Sequence, residues 1–435
     1  MIKLPLDFLK MMLLPIFCLS PIWSQGQQIS TAERKILDRV EANHEASIDF
    51  LEKTVNINSG TYNPAGVQEV GAIYREMLDE LGFETRWVDM PEGIERGGHL
   101  IGEIKGGEGK TLLLIGHIDT VFEPDSPFQK WSREGNTATG PGVNDMKGGN
   151  MVILYALKAM KEADELKNRN IIVIFHGDEE APGRPLDITR KDIVELAQRS
   201  DIGLGFETGT GFNYATVARR GSSSWELQVK GQQAHSSGIF REGSGAGAVY
   251  EASRILNRFY EELQEENLTY NPGLILGGTQ VELKDGGTAG VASGKTNLVA
   301  NTTIVKGDLR FLSEEQKERA REKMKAIVAE NLPQTQAEIT FEDGYPAMPP
   351  TEGNKALLAT LSQISQELEQ GEVKAYDPGR RGAADISFIA EYVDGLDGLG
   401  VMGTKAHAPG ETVDLSTVED IVKRTAILLY RLTEN

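Results

Sequence analysis

A chain of 435 residues is too long for one small core and implies two or three domains. With 39% hydrophobic and 25% charged residues it has the make-up of an ordinary soluble globular protein. Its formal net charge of -20 excludes nucleic acid and anionic membrane surfaces as partners and otherwise serves solubility.

At the N-terminus, Lys3 and Lys10 accompany an apolar run from Met11 to Trp23, followed by Ser24-Gln25-Gly26. Basic residues, a short apolar run and small residues predict a signal peptide over 1–26, hence an exported protein, periplasmic or extracellular. The run contains Pro15 and Pro21 and is shorter than the roughly 20 apolar residues of a membrane span, so no stable membrane association follows cleavage. Cys18 is the only cysteine. The mature chain then has no disulfide and no thiolate metal site, and any metal must be held by oxygen and imidazole.

Beyond it, Leu37, Val40, Ile48, Leu51 and Val55 recur at helical spacing and predict a helix over 31–57. Apolar runs then alternate with helical stretches: Thr111–Ile115, Ile171–Phe175, Ile202–Phe206 and Gly398–Met402. Continuous apolar runs between helices predict buried, mainly parallel strands in an α/β sheet covered on both faces. The stretch 220–347 reads differently. A strand at Ser223–Lys230, a helix at 246–263, strands at 274–281 and 297–311, a helix at 314–331 and a strand at 338–342 predict a small α+β module. It interrupts a larger domain made of 27–219 and 348–435.

The chemistry-bearing residues sit where those strands end. His117 and Asp119 follow one run, Glu179 and Glu180 another, Glu207 ends a third, and His407 follows the last. Asp145 lies in Gly140-Pro-Gly-Val-Asn-Asp-Met-Lys-Gly148 before a helix, and this loop lacks the Gly-Lys-Ser/Thr ending of a phosphate cradle. In an open α/β sheet, ligands gather outside the carboxyl ends of the strands. Each residue alone reads as a structural histidine or a solvated turn. Together they suit a pair of zinc ions bridged by one carboxylate, with an adjacent glutamate as general base.

The segments Gly116-His-Ile-Asp-Thr120, Gly140–Gly148, Gly177-Asp-Glu-Glu180, Gly231-Gln-Gln-Ala-His-Ser-Ser-Gly238 and His407-Ala-Pro-Gly-Glu411 resemble, in order, those of the two-zinc peptidase family that includes glutamate carboxypeptidase, aminoacylase and succinyl-diaminopimelate desuccinylase. The resemblance covers nearly the whole mature chain and is closest in type to glutamate carboxypeptidase. It implies a zinc-dependent exopeptidase-like catalytic domain interrupted by a lid and dimerisation domain. It further implies that His117 and Glu207 hold one Zn(2+), Glu180 and His407 the other, and Asp145 bridges them, two ions per subunit. Asp119 would orient the His117 imidazole, and Glu179 would be the general base. A cis peptide after Asp145 is also implied.

From the same resemblance, His235 reaches the substrate of a neighbouring subunit in a homodimer joined through the lid, and Asn297 and Arg310 bind the substrate carboxylate. The alternative for Arg310 is a surface ion pair within Asp308-Leu-Arg310. Glu at 207, where family aminopeptidases tend to have Asp, leans toward a carboxypeptidase. The substrate class is a small peptide or N-acyl amino acid cut beside a C-terminal carboxylate, with glutamate a candidate leaving group. A deacylase, a di- or tripeptide aminopeptidase and a noncatalytic binding protein are the rivals, in that order. Two features depart from the family pattern. Leu298-Val-Ala-Asn follows Asn297, and Arg380-Arg381 precede Asp385, where they either add charge to the substrate pocket or face solvent.

Overall fold

The computed structural model describes residues 29–434. The predicted signal peptide lies outside them, and none of the described helices is long and apolar enough to cross a membrane.

A six-stranded sheet forms the larger domain. Its strands are β1 (Glu84–Val88), β2 (His99–Ile104), β3 (Thr111–His117), β4 (Asn170–His176) and β5 (Ile202–Gly205), with β10 (Asp394–Leu396) returning after the inserted module. The spatial order is β1-β2-β4-β3-β5-β10. The four strands from β4 to β10 run parallel, and β2 pairs with β4 antiparallel. Alternate residues of each run enter opposite layers. Leu112, Leu114, Ile171 and Val173 pack in one core, under the helices Lys147–Glu162 and Val418–Leu432. Leu113, Ile115, Ile172 and Ile174 pack in another, against Ile193 and Leu196. Burial on both faces is why these strands are continuously apolar.

The inserted module has its own sheet: β6 (Gly221–Gly231), β7 (Thr269–Gly278), β8 (Thr302–Phe311) and β9 (Thr335–Asp343), ordered β7-β8-β6-β9 and antiparallel throughout. Trp225, Leu227 and Val229 face the helices Ala248–Glu262 and Glu314–Ala329, closing a separate core. The two chain crossings into this module are tied together, since Arg219 and Met348 exchange backbone hydrogen bonds of 2.9 and 3.0 Å.

Several details differ from the sequence reading. It did not give the helix Pro64–Leu81 or strands β1 and β2, and the module strands read at 274–281 and 297–311 lie at Thr269–Gly278 and Thr302–Phe311. The first helix is two, Thr31–Ala42 and His44–Val55, broken at Asn43. The last strand of the large sheet is 394–396 rather than 398–402. Gly398 takes φ 71°, which turns the chain out of extended geometry, although Gly400 still donates to the Glu207 carbonyl. An additional hairpin, Gln280–Lys284 with Ala289–Ser293, hangs from the module.

Candidate metal centre and substrate cavity

The site begins with β3, which delivers His117 to the carboxyl end of the sheet. Gly116 is needed there because a Cβ would lie 2.1 Å from Asn150 Oδ1. That close approach lets Asn150 Nδ2 donate to the His117 carbonyl at 2.6 Å. The His117 Nδ1 lies 2.9 Å from the Asp119 carbonyl oxygen, so Nδ1–H donates and Nε2 is left as a lone-pair donor. The Asp119 carboxylate is farther from Nδ1, at 3.4 Å. It accepts instead from the backbone N–H of Glu179 and of Glu180, each at 3.0 Å, and from the Thr61 hydroxyl at 2.6 Å. Asp119 therefore orients the imidazole mainly through its backbone, and its side chain fixes the Glu179-Glu180 turn.

Asp145 stands between the two histidines. Its Oδ1 is 3.3 Å from His117 Nε2 and its Oδ2 is 3.0 Å from His407 Nε2. On the first side, Glu207 Oε1 is 3.7 Å from His117 Nε2; on the second, Glu180 Oε2 is 3.0 Å from His407 Nε2. The peptide Asp145-Met146 is cis. The Asp145 loop is held from far along the chain. The Glu411 carboxylate accepts from the N–H groups of Gly142, Asn144 and Asp145 at 3.2, 2.7 and 2.9 Å.

The electrostatics suit cations. Burial pushes the Glu179 carboxyl well above the usual carboxylate range, and the Glu207 charge adds to it. Glu207 is itself pushed up to about 8 by burial and then by Asp145. Asp145 and Glu180 hydrogen-bond to His407 and raise its imidazole to about 11. The Glu180 Oε1 atom is buried with no hydrogen-bond partner. Crowded carboxylates, two imidazoles and an orphaned acceptor fit divalent ions held by nitrogen and oxygen. Two overlapping groups have donor atoms within 4.8 Å of one another, His117-Glu179-Glu207 and His117-Asp145-Glu180. Glu179 thus lies within reach of the same donors.

A cavity of about 550 Å³ opens onto these groups. Asp145, Glu179, Glu180, Glu207 and His407 line one side, and Ser222 and Arg310 of the module reach it from the other. Register explains Arg310, because β8 pairs Arg310 with Ser222 at the end of β6 that leaves the large domain. Arg310 also forms the short-range pair with Asp308, Nε to Oδ2 at 2.9 Å. His235 and Asn297 adjoin each other, the Ser236 N–H donating to the Asn297 carbonyl at 2.9 Å. Both are exposed, and neither lines this cavity.

Several lining or supporting residues carried no signal in the sequence. Tyr345 donates its hydroxyl to the Glu179 carbonyl at 3.1 Å and accepts from Arg190 at 3.2 Å. Arg190 is buried and also bonds Asp178 and Asp385 at 2.8 and 2.7 Å. Arg219 and Thr208 complete the wall. The adjacent arginines separate. Arg381 lines the cavity, whereas Arg380 is exposed over the Tyr376 ring.

One use accommodates the whole donor set: holding divalent cations beside a cavity sized for a small substrate, as a metal-dependent hydrolase does. Residues 113–434 match peptidase family M20/M25/M40, and the chain belongs to that family as a metallopeptidase or amidohydrolase. Carboxypeptidase G2 of Pseudomonas sp. (strain RS-16) is 29% identical over 398 residues, covering 89% of each chain. A succinyl-diaminopimelate desuccinylase of Hydrogenovibrio crunogenus is 26% identical, covering 89% of this chain and 97% of its own. The fold matches the crystal structure of aminopeptidase PepT from Bacillus cereus with a TM-score of 0.72 at 18% identity, over 90% of this chain and 99% of that one. A metallo-carboxypeptidase of Sulfolobus solfataricus matches with 0.61 at 17%, over 89% and 99%.

Proposed function

We propose that this protein is an exported, two-zinc carboxypeptidase that hydrolyses the amide bond beside a C-terminal amino-acid carboxylate. The observation that carries the reading is Arg310, a guanidinium on the module that lines the same cavity as the metal donors. Its Nε is engaged by Asp308, and its two terminal nitrogens are a natural fork for a carboxylate. The likeness to carboxypeptidase G2 supports the same choice.

In this reading His117 and Glu207 would hold one zinc, His407 and Glu180 the other, and Asp145 would be shared between them. When bound, the ions supply Lewis acidity that activates water at neutral pH and polarises the scissile carbonyl. Glu179 takes the proton from the attacking water at its carboxylate and returns it to the leaving amine. The hydrogen bonds of Asp119 to the Glu179 and Glu180 backbones fix where that carboxylate stands. Arg310, with Asn297, aligns the substrate carboxylate.

His235 and Asn297 act in a homodimer joined through the lid. Exposed apolar residues of the module support that contact: Phe240 at 67%, Tyr250 at 54% and Ile275 at 55%. The rings of Phe240 and Tyr250 lie 5.4 Å apart. Such aromatics on a soluble surface suit an interface. Export rests on the leader-like residues 1–26, and the mass of the mature N-terminus tests it.

A deacylase reading is the second, favoured by the desuccinylase relatives. Zinc-loaded protein given a mixed library of peptides and N-acyl amino acids, with products read by mass spectrometry, separates the two. Release of C-terminal residues from unblocked peptides is expected. Removal of N-terminal residues, with amidated peptides cut as well as free acids, overturns the carboxylate-directed reading.

A further inference from the structure

The turn that carries Glu179 is gripped along both edges. On one edge the Asp119 carboxylate takes the N–H groups of Glu179 and Glu180, each at 3.0 Å. On the other edge the carbonyls are taken. Arg190 Nη2 donates to the Asp178 carbonyl at 3.0 Å, and the Tyr345 hydroxyl donates to the Glu179 carbonyl at 3.1 Å. Arg190 Nη1 also pairs with the Asp178 carboxylate at 2.8 Å, and the Gly183 N–H closes on its other oxygen at 2.9 Å.

The direction of the Tyr345 bond follows from its second partner. A guanidinium has donors only, so the hydroxyl accepts from Arg190 Nη2 and has its single hydrogen left for Glu179. That hydrogen is spent, although Tyr345 lines the cavity. Arg190 is held in turn, being 1% exposed with its Nε bonded to Asp385 at 2.7 Å. The Tyr345 ring packs on Phe388 with centroids 4.8 Å apart.

Asp119 and Arg190 belong to the large domain, whereas Tyr345 comes from the module. Its N–H donates to Ser222 Oγ at 3.2 Å, and its carbonyl accepts from the Ser222 N–H at 2.8 Å. Ser222 is the register partner of Arg310. The backbone bearing the proposed carboxylate clamp and the backbone bearing the proposed base are thus joined through two residues, Ser222 and Tyr345.

We infer that Tyr345 is a positioning residue for the general base: its hydroxyl holds the Glu179 carbonyl, so the module helps to set where the Glu179 carboxylate stands. The inference rests on the reading of Glu179 as the base and gives Tyr345 no polar contact with substrate. Proton transfer needs hydrogen-bond reach, and a misplacement of about 1 Å can cost on the order of a hundredfold.

Tyr345→Phe removes one oxygen and keeps the ring against Phe388. The zinc-loaded variant is assayed on whichever compound of the mixed library wild type cuts fastest. Its kcat should fall about tenfold with KM within about twofold of wild type. In a Glu179→Ala background the same substitution should change the residual kcat by less than about twofold, because the group it positions is gone. Amide hydrogen exchange reads the turn without turnover. The Glu179 and Glu180 N–H groups should exchange about tenfold faster in Tyr345→Phe, with those of Ile171–His176 unchanged. A wild-type kcat in Tyr345→Phe, or exchange of the two amides left unmoved, overturns the inference. So does an equal loss of kcat without Glu179, which would assign the hydroxyl to the substrate. If no compound is cut, the proposed function fails, and the exchange of the two amides alone decides the positioning.

Discussion

Around the cavity, the sheet-domain donors and the module's substrate residues are held in different ways. His117, Asp145, Glu180 and Glu207 have side chains at most 15% exposed, and the first three are fixed by a further layer of hydrogen bonds. Asp119, Asn150 and Glu411 supply that layer from three separate segments. His235 and Asn297 are exposed and lie on two loops of the module that are bonded to each other, with His235 Nδ1 also 2.9 Å from Ser237 Oγ. His407 belongs between the two classes, with a donor's contacts but a side chain 59% exposed. The sheet rim is held within one chain, by hydrogen bonds from three separate segments to its buried groups. The module's outer residues lack that support, as the proposed completion by a second subunit requires.

The largest expected effect comes from breaking the sheet side. Asp145→Ala removes the one carboxylate shared by both histidines, and its activity should fall beyond the roughly 10⁴-fold upper limit for losing a general base. Native mass spectrometry of zinc-refilled wild type should show two ions and of this variant fewer. Two tightly held ions in the variant would remove Asp145 from its bridging role.

Next comes Glu179→Ala, which should retain its zinc while kcat falls by about 10²–10⁴. Loss of an ion alongside activity would make Glu179 a ligand, a role its nearness to His117 and Glu207 allows.

The module side is broken by mixing. Glu179→Ala and His235→Ala proteins, each nearly inactive, are dissociated and reassociated together. If His235 serves the other subunit, each mixed dimer regains one intact site, and random pairing should restore about a quarter of wild-type activity. No recovery would place His235 in its own subunit's site, and a fully active His235→Ala protein would remove it from the reaction.

The smallest effect is Arg310→Ala, which should lose about tenfold to a hundredfold in kcat/KM on a free-acid substrate and much less on its C-terminal amide. Equal losses on both would leave the Asp308 pair as its whole role.

What the sequence showed follows from what makes a pattern local. Thr111–Ile115 and Ile171–Phe175 stood out because both faces of those strands are buried. Glu84–Val88 did not, since an edge strand reading Glu-Thr-Arg-Trp-Val resembles a loop. Asp145, Glu180, Glu207 and His407 were legible as candidates because each follows a strand or a glycine-rich loop. Arg219, Arg190 and Tyr345 depend on contacts across 155 to 195 residues of chain, which no spacing encodes. Arg380 and Arg381 are identical as letters, and only the turn at Pro378–Arg380 sends one outward and the other into the cavity.

The Glu411 carboxylate that gathers the Asp145 loop also sets when the site can exist. Residues 145 and 411 are 266 apart, with the whole module between them. During synthesis the N–H groups of Gly142, Asn144 and Asp145 have no such acceptor until the chain has passed residue 411, and His407 emerges only just before it. A growing or truncated chain therefore presents His117, Asp145 and Glu207 as loose donors without the clasp that sets their spacing. A chain that stops before residue 407 lacks both His407 and Glu411, and with them one partner of the Asp145 carboxylate and the clasp on its loop.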